Sequence, residues 1–387
     1  MRGMLRREAP VAVAALAALL SLASRGEARG DASDAPVPIV LVHGICGDSV
    51  GTFGGLKALL EADLPGVHVH PFDYSSVLST LPAAERASLP RVAGAFGAFV
   101  QRLGAARVDV IAHSMGGLIV RAWMAGQADD GPPYDNEVRR LITAGTPHVG
   151  VSRNVAREVL DFLAATGRCP ERDSDVRHAQ IDQMLFGSVF LARLDATGGA
   201  TPGTPENVLT VVGCLTLACE DDLIVIAPSA TLPPTSPDSS VAYILHAHPG
   251  LVAVNDRSHP FYDVALPFLR EGAAGPGIVP QSLATLIVAR VVTEHGEPYT
   301  RDELIRFGVP REVDELPGCT GAAFTRFQGE APVDATGWWT LLGADPGCWS
   351  LFVDAHGLRS TRTHITAIPG RPVVSDPIVV RRKPLRR

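Results

Sequence analysis

Ser114 stands between two stretches that cannot be continued into one another. Val108 to His113 (VDVIAH) is a near-continuous apolar run suited to a strand buried on both faces, whereas GLIVRAWM, from Gly117, repeats apolar residues at helical spacing. A strand-to-helix turn this sharp has room only for small side chains two positions on either side of its apex. Ala112 and Gly116 meet that requirement. Ala-His-Ser-Met-Gly-Gly therefore reads as a nucleophile elbow, with the Ser114 hydroxyl presented at the turn. The small-x-Ser-x-Gly pattern is common by itself; the strand before it and the helix after it give it meaning.

The same alternation extends along the chain. PIVLVH (38–43), VHVHPF (67–72), VDVIAH (108–113), LITAG (141–145), VLTVVG (208–213) and VAYILH (241–246) are apolar runs of strand length. FGGLKALLEA, RVAGAFGAFVQRLGA, GLIVRAWMAG and YDVALPFLREG between or after them have helical periodicity. About six parallel strands covered on both faces are expected, an α/β architecture. The stretch 150–206 is too long for a plain connection and is expected to be a helical cap, with helices in SRNVAREVLDFLAATG and QIDQMLFGSVFLARLDATG. Its apolar residues, Leu160, Phe162, Leu163, Leu185, Phe186, Val189 and Phe190, serve either as core or as a substrate wall. Beyond EGAAGPG the pattern changes to short β-like pieces with Gly and Pro turns, and a small β-sandwich is expected over 280–387.

Residues 1–30 open with Arg2, Arg6 and Arg7 and continue through the short apolar run PVAVAALAALLSLAS, a signal-peptide pattern too short to span a bilayer. A secreted or periplasmic protein is expected, with the catalytic region over 31–272. Six cysteines in an exported chain suit disulfides, for which 15 pairings exist. Cys214 with Cys219 and Cys319 with Cys348 are local, which leaves Cys46 with Cys169. The net charge of −7 and the lack of aromatic-interleaved basic stretches argue against nucleic acid as a partner. No carboxylate cluster has ion-binding spacing, so neither metal nor cofactor is expected.

A serine nucleophile needs its developing oxyanion stabilised, in part by an N–H from a second loop. His43-Gly44-Ile45-Cys46-Gly47 directly follows the first apolar run, so the N–H groups of Ile45 and Met115 are the expected oxyanion donors. With these motifs the chain resembles bacterial α/β-hydrolase lipases and esterases. AHSMGG looks like the alanine-variant elbow of the small Bacillus-type lipases, and Thr146-Pro147-His148-Val149-Gly150 is similar to the TPHxG signature of that group. The resemblance covers roughly 37–270. It implies an acid after the strand that follows the cap, where Asp222 aligns and Asp221 is the alternative. It also implies a histidine beyond the last strand, His248 rather than His246 or His259. His259 is expected to cap the closing helix, His43 and His113 to serve packing or hydrogen bonding, and His148 to line the cleft.

The reaction implied is two-step acyl transfer from an ester by Ser114, His248 and Asp222, on a small-molecule or lipid ester, with contact to a lipid interface or polymer. The same residues would serve an acyltransferase, phospholipase, polyester depolymerase or amidase. A non-catalytic binding or adhesion protein is the alternative from another class; it has no use for serine, two-loop oxyanion hole and acid together. The last hundred residues resemble a transthyretin-like or carboxypeptidase-regulatory-like module, whose accessory character implies that its removal leaves soluble-ester hydrolysis within a few fold.

Overall fold

In β1 (Ile39–Val42), Val40 and Val42 enter one apolar core while Ile39 and Leu41 enter another, and all four are buried. Alternation of this kind places the two cores on opposite faces of a sheet that must be covered on both. The computed structural model describes residues 36–74, 88–165, 174–196, 207–231, 239–299, 304–308, 330–332, 337–342, 347–351, 358–361 and 363–382. The leader expected over 1–30 lies outside these. Among the described residues, no helix is long and apolar enough to cross a membrane.

β1, β2 (Val69–Phe72), β3 (Val108–His113), β4 (Val138–Ala144), β5 (Asn207–Cys214) and β6 (Ser239–Leu245) form one sheet in the order β2-β1-β3-β4-β5-β6. Every pair is parallel. This is the six-stranded parallel sheet expected from the apolar runs, as the resemblance to α/β-hydrolases also implies. The helices that follow are α1 (Ser49–Phe53), α2 (Leu56–Asp63), α3 (Leu89–Arg102) and α4 (Met115–Met124). α3 starts where the Ser88 side chain accepts from the Arg91 N–H at 3.2 Å, with Pro90 in the first turn. Phe96 of α3 meets Trp123 of α4 edge-on, ring centroids 5.4 Å apart, in the core on one face. The other core takes Leu56 and Leu60 of α2 and Phe261 and Phe268 of the closing helix.

Three helices lie between β4 and β5: α5 (Arg153–Ala165), α6 (Ser174–Met184) and α7 (Val189–Ala196). α5 falls within the first expected cap helix. The second, expected as one helix through 180–198, is broken at Gly187, where φ is 70°. Ser188 then restarts the helix, its hydroxyl accepting from the Leu191 N–H at 3.1 Å. A Gly-Ser pair that supplies both a left-handed residue and an N-cap outweighs the apolar periodicity. α8 (Ala227–Ala230) and α9 (Pro260–Glu271) complete the helices described.

The C-terminal region contains β7 (Leu286–Thr293), β8 (Leu304–Gly308), β9 (Glu330–Pro332), β10 (Trp338–Leu342), β11 (Gly347–Leu351), β12 (Leu358–Ser360), β13 (Thr363–Ala367), β14 (Pro372–Val374) and β15 (Ile378–Arg382). They form a five-stranded mixed sheet, β10-β7-β15-β12 with β14 also on β7, and a four-stranded antiparallel sheet, β13-β11-β8-β9. One core holds Ile287, Ala289 and Val291 of β7 together with Trp339, Trp349, Leu351 and Ile365 from both sheets. The opposite residues of β7, Leu286 and Val288, pack instead on Val149, Phe186 and Ile226. β7 is thus buried on both faces because its second face meets the hydrolase region. A disulfide joins Cys214 to Cys219. Cys46 and Cys348 are disulfide-bonded as well, and their expected partners, Cys169 and Cys319, lie outside the described residues.

Candidate active site

Ser114 is the N-cap of α4, with φ 55° and ψ −129°. An L residue held in such a region costs about 1–3 kcal/mol, and it persists only where the surroundings over-determine it. Here the Ser114 N–H donates to the Ala144 carbonyl at 2.9 Å, and its own carbonyl accepts from the Gly117 N–H at 3.1 Å. Two absent side chains make the turn feasible. A Cβ on Gly116 would lie 2.4 Å from the Val42 carbonyl oxygen, and one on Gly44 2.7 Å from the Ser114 Cβ. The β1 loop therefore lies directly against the serine. Ile45, the next residue, lines the same cavity as Ser114, and among the described residues its N–H has no acceptor. Met115 opens α4, so its N–H has no intrahelical acceptor either.

His248 begins a short 3-10 turn just beyond β6 and lines that cavity. Its Nδ1 lies 2.7 Å from Asp222 Oδ2, and its backbone N–H donates to the Asp222 carbonyl at 2.8 Å. The Asp222 carboxylate is wholly buried but fully engaged, because Oδ1 accepts from the N–H groups of Ile224 at 3.1 Å and Val225 at 2.8 Å. A carboxylate held this way keeps the proton on His248 Nδ1 and leaves Nε2 as a base. Asp221, the alternative acid, turns away from the histidine and accepts from the Leu223 N–H at 3.0 Å in an exposed turn. Leu223, where the resembled lipases have Gly, occupies a left-handed conformation with φ 88°.

The other histidines are accounted for by their hydrogen bonds. His113 lies against His248, centroids 4.7 Å apart, and its Nε2–H donates to the His248 carbonyl at 3.1 Å. Burial, then the neighbouring His248, pulls His113 well below the usual histidine range. His148 is absent from the cleft wall, contrary to expectation. Its Nδ1 accepts from Arg121 at 3.3 Å, which leaves Nε2–H to donate to the Thr143 hydroxyl at 3.1 Å. Only its neighbour Pro147 reaches the cavity. His259 caps α9: Nδ1 accepts from the Phe261 N–H at 3.2 Å, so Nε2–H donates to the Gly250 carbonyl. His246, just past the end of β6, lies against His259 with ring centroids 4.7 Å apart and planes tilted by 33°.

The cavity measures about 220 Å³. Its apolar wall is formed by Val151, Val155, Ala156, Val159, Ile181 and Met184 from the segments around α5 and α6. Of the cap residues singled out from the sequence, Leu185, Phe186 and Phe190 are core, and Val189 is 65% exposed. The side chains of Leu160, Phe162 and Leu163 lie outside the described ones. Among the described residues, no group of His, Cys, Asp and Glu is placed to hold a metal ion.

A family model described as the alpha/beta hydrolase fold matches residues 37–197. The fold is that of an α/β-hydrolase. Among solved structures, phospholipase PlaB from Legionella pneumophila in complex with thio-NAD is similar at TM-score 0.60 and 14% identity, over 89% of this chain and 94% of that one. Bacillus licheniformis lipase BlEst2 in mature form follows at TM-score 0.43 and 19% identity, over 61% and 93%. The monoacylglycerol lipase of Paleococcus ferrophilus has TM-score 0.38 and 16% identity, over 60% and 93%. At these identities the likeness is one of fold. No curated protein matches the sequence.

Proposed function

We propose that the chain is an exported serine hydrolase of carboxylic esters, of lipase or esterase type, with Ser114, His248 and Asp222 as its triad. The observation that carries this reading is the 2.7 Å Asp222–His248 contact at the floor of a cavity that Ser114 also lines. His248 Nε2 takes the Ser114 proton as Oγ bonds to the acyl carbon, and the oxyanion accepts from the N–H groups of Ile45 and Met115. The intermediate collapses with the proton passing from His248 to the departing alkoxide. Water, deprotonated by the same Nε2, then attacks the acyl-enzyme and releases the carboxylic acid. The apolar wall suits the acyl chain of the ester.

Two readings of the remainder go with this one. Residues 1–30 are a leader, 31–272 the catalytic region with its cap at 150–206, and 280–387 an attached β-sandwich; disulfides at Cys214–Cys219, Cys46 and Cys348 support an oxidising compartment. A phospholipid ester is the specific alternative substrate. It is favoured by the similarity to a phospholipase structure over 89% of the chain, which extends beyond the hydrolase sheet into the C-terminal strands.

The test is turnover of nitrophenyl esters from acetate to palmitate, and of phosphatidylcholine, together with fluorophosphonate labelling of the native chain and Ser114→Ala. Ester turnover and labelling that both vanish in the variant are expected. A folded native chain with no turnover of any of these esters, or a variant labelled as well as the native chain, overturns the proposal.

A further inference from the structure

The orientation of the peptide linking Gly44 to Ile45 decides whether the Ile45 N–H can serve an oxyanion hole here. The carbonyl of that peptide is gripped from three directions. The Tyr74 hydroxyl donates to the Gly44 oxygen at 2.6 Å, the Gly47 N–H at 3.2 Å, and His43 Nδ1 at 2.9 Å. In a trans peptide the C=O and the N–H of the next residue point in opposite directions, and no cis peptide occurs among the described residues. Holding the Gly44 oxygen toward Tyr74 and His43 therefore directs the Ile45 N–H away from them, toward the cavity that Ile45 lines with Ser114.

Resting on the proposed serine chemistry, we infer that Tyr74 and His43 are positioning residues that hold the Gly44–Ile45 peptide in the orientation that receives the oxyanion. Each is built for that use. A carbonyl oxygen only accepts, so His43 carries its proton on Nδ1, and Nε2 is bare. That agrees with its burial without a hydrogen-bond partner. Burial lowers the His43 pKa against the opposing influence of the Gly44 carbonyl and Asp73, whose Oδ1 is 3.6 Å from Nε2, and so favours the neutral ring. Tyr74, also buried, stacks on the His43 ring with centroids 4.1 Å apart and planes 21° from parallel. The stack locks each donor against the other. Neither side chain lines the cavity, so both act through the peptide.

Oxyanion hydrogen bonds matter in the transition state more than in substrate binding. Removing one donor outright costs about 10²–10³ in kcat, and a donor that is mis-aimed part of the time costs less. Tyr74→Phe, which keeps the ring and its stack, should lower kcat about tenfold or more while KM changes less than twofold. Its affinity for an alkyl boronic acid, which forms a tetrahedral anion on the serine, should fall by the same factor. His43→Leu should behave alike, and His43→Asn, whose amide N–H can reach the position of Nδ1, should recover most of the loss. The His43 pair decides the matter if Tyr74→Phe does not fold. A loss confined to KM, an unchanged boronate affinity, or equal losses in His43→Asn and His43→Leu overturns the inference. A native chain that turns over no ester and binds no boronate defeats instead the serine-hydrolase reading on which it rests.

Discussion

Asp222→Asn is the substitution whose outcome the site geometry specifies most closely. Oδ1 faces two backbone donors, the N–H groups of Ile224 at 3.1 Å and Val225 at 2.8 Å, while Oδ2 faces a single ring nitrogen. An asparagine has one oxygen and one NH₂ to distribute. With the NH₂ toward the two N–H groups, two buried donors lose their acceptor, at about 1–3 kcal/mol each. With the oxygen there, the NH₂ meets His248 Nδ1, and the imidazole can accommodate it by moving its proton to Nε2. The second arrangement wins, and it leaves the histidine unable to take the Ser114 proton. Loss of the correct tautomer in such a triad lowers kcat by about 10⁴, or about 5 kcal/mol at 1.36 kcal/mol per factor of ten. Since both backbone bonds survive, the midpoint of urea unfolding should hardly change. Asp221→Asn, removing a carboxylate that bonds only the Leu223 N–H in an exposed turn, should stay within a few fold of the native kcat/KM. A folded Asp222→Asn within tenfold of native turnover of a soluble nitrophenyl ester would refute the reasoning, as would an equal loss in Asp221→Asn.

Ser114→Gly should be more stable than Ser114→Ala by about 1 kcal/mol or more, because only the glycine relaxes a backbone held at φ 55°; matching urea midpoints would contradict this. Val155→Phe should fill part of the cavity and reduce kcat/KM for an octanoyl ester at least about tenfold relative to acetyl, and an unchanged acyl preference would remove Val155 from the wall. His113 and His148 are both held well below the usual histidine pKa, by burial first, then by His248 and Arg121 respectively. The unfolded chain thus takes up their protons first, so stability is full above about pH 6.5 and falls as pH drops through that value, by up to about 1.4 kcal/mol per pH unit for each group. Urea unfolding between about pH 7.5 and 5 should show this slope, and His148→Gln should flatten it; stability that rises on acidification would reverse the sign. Val288→Asp places a carboxylate among Val149, Phe186, Ile226 and Leu286 and should depress ester hydrolysis well beyond a few fold, whereas native activity would mark the C-terminal sheets as dispensable.

What could be read from the sequence was governed by how local each cause is. The six sheet strands were legible because each is a near-continuous apolar run, and β3 over Val108–His113 matched to the residue. Ser114 stood out because a strand, a helix and two small flanking residues meet within eight positions. The placement of Asp222 against His248 came from resemblance and chain order, since 26 residues separate them and no local pattern links them. Tyr74 carried no signal at all. An aromatic residue just after a strand reads as core, and only the closed fold brings its hydroxyl to Gly44, 30 residues earlier. His148 was misplaced because a histidine inside a motif suggests the cleft, whereas Arg121 and Thr143, which hold it, come from α4 and β4. The cavity wall was missed for a related reason: Val155, Ala156 and Val159 form a modest stripe on α5, less conspicuous than the larger residues that turn out to be core.

The C-terminal sheets are where local pattern and tertiary structure part most clearly. Gly and Pro punctuation over EGAAGPG reads as a linker, and a linker suggests a module that can be removed. Yet the chain is bonded to the hydrolase region within and just after this segment: the Gly275 N–H donates to the Val264 carbonyl at 3.1 Å, the Ile278 N–H to the Tyr243 carbonyl on β6 and the Gln281 N–H to the Leu217 carbonyl, the last two at 2.8 Å. Leu217 lies inside the loop closed by the Cys214–Cys219 disulfide, and that loop leads directly into Asp222. Val149 and Ile226, against which β7 packs, adjoin the loops that supply Pro147, Val151, Ile224 and Val225 to the cavity. Removing these sheets would expose Val149, Phe186 and Ile226 and free the disulfide loop at the point where it hands the chain to the acid. Asp222 is held by the backbone N–H groups of Ile224 and Val225, two residues and one residue before Ile226, so a shift of Ile226 against β7 is expected to disturb the carboxylate. These contacts predict that the sheets support the acid loop, against the removable module that the sequence suggests, and the activity of Val288→Asp decides between the two.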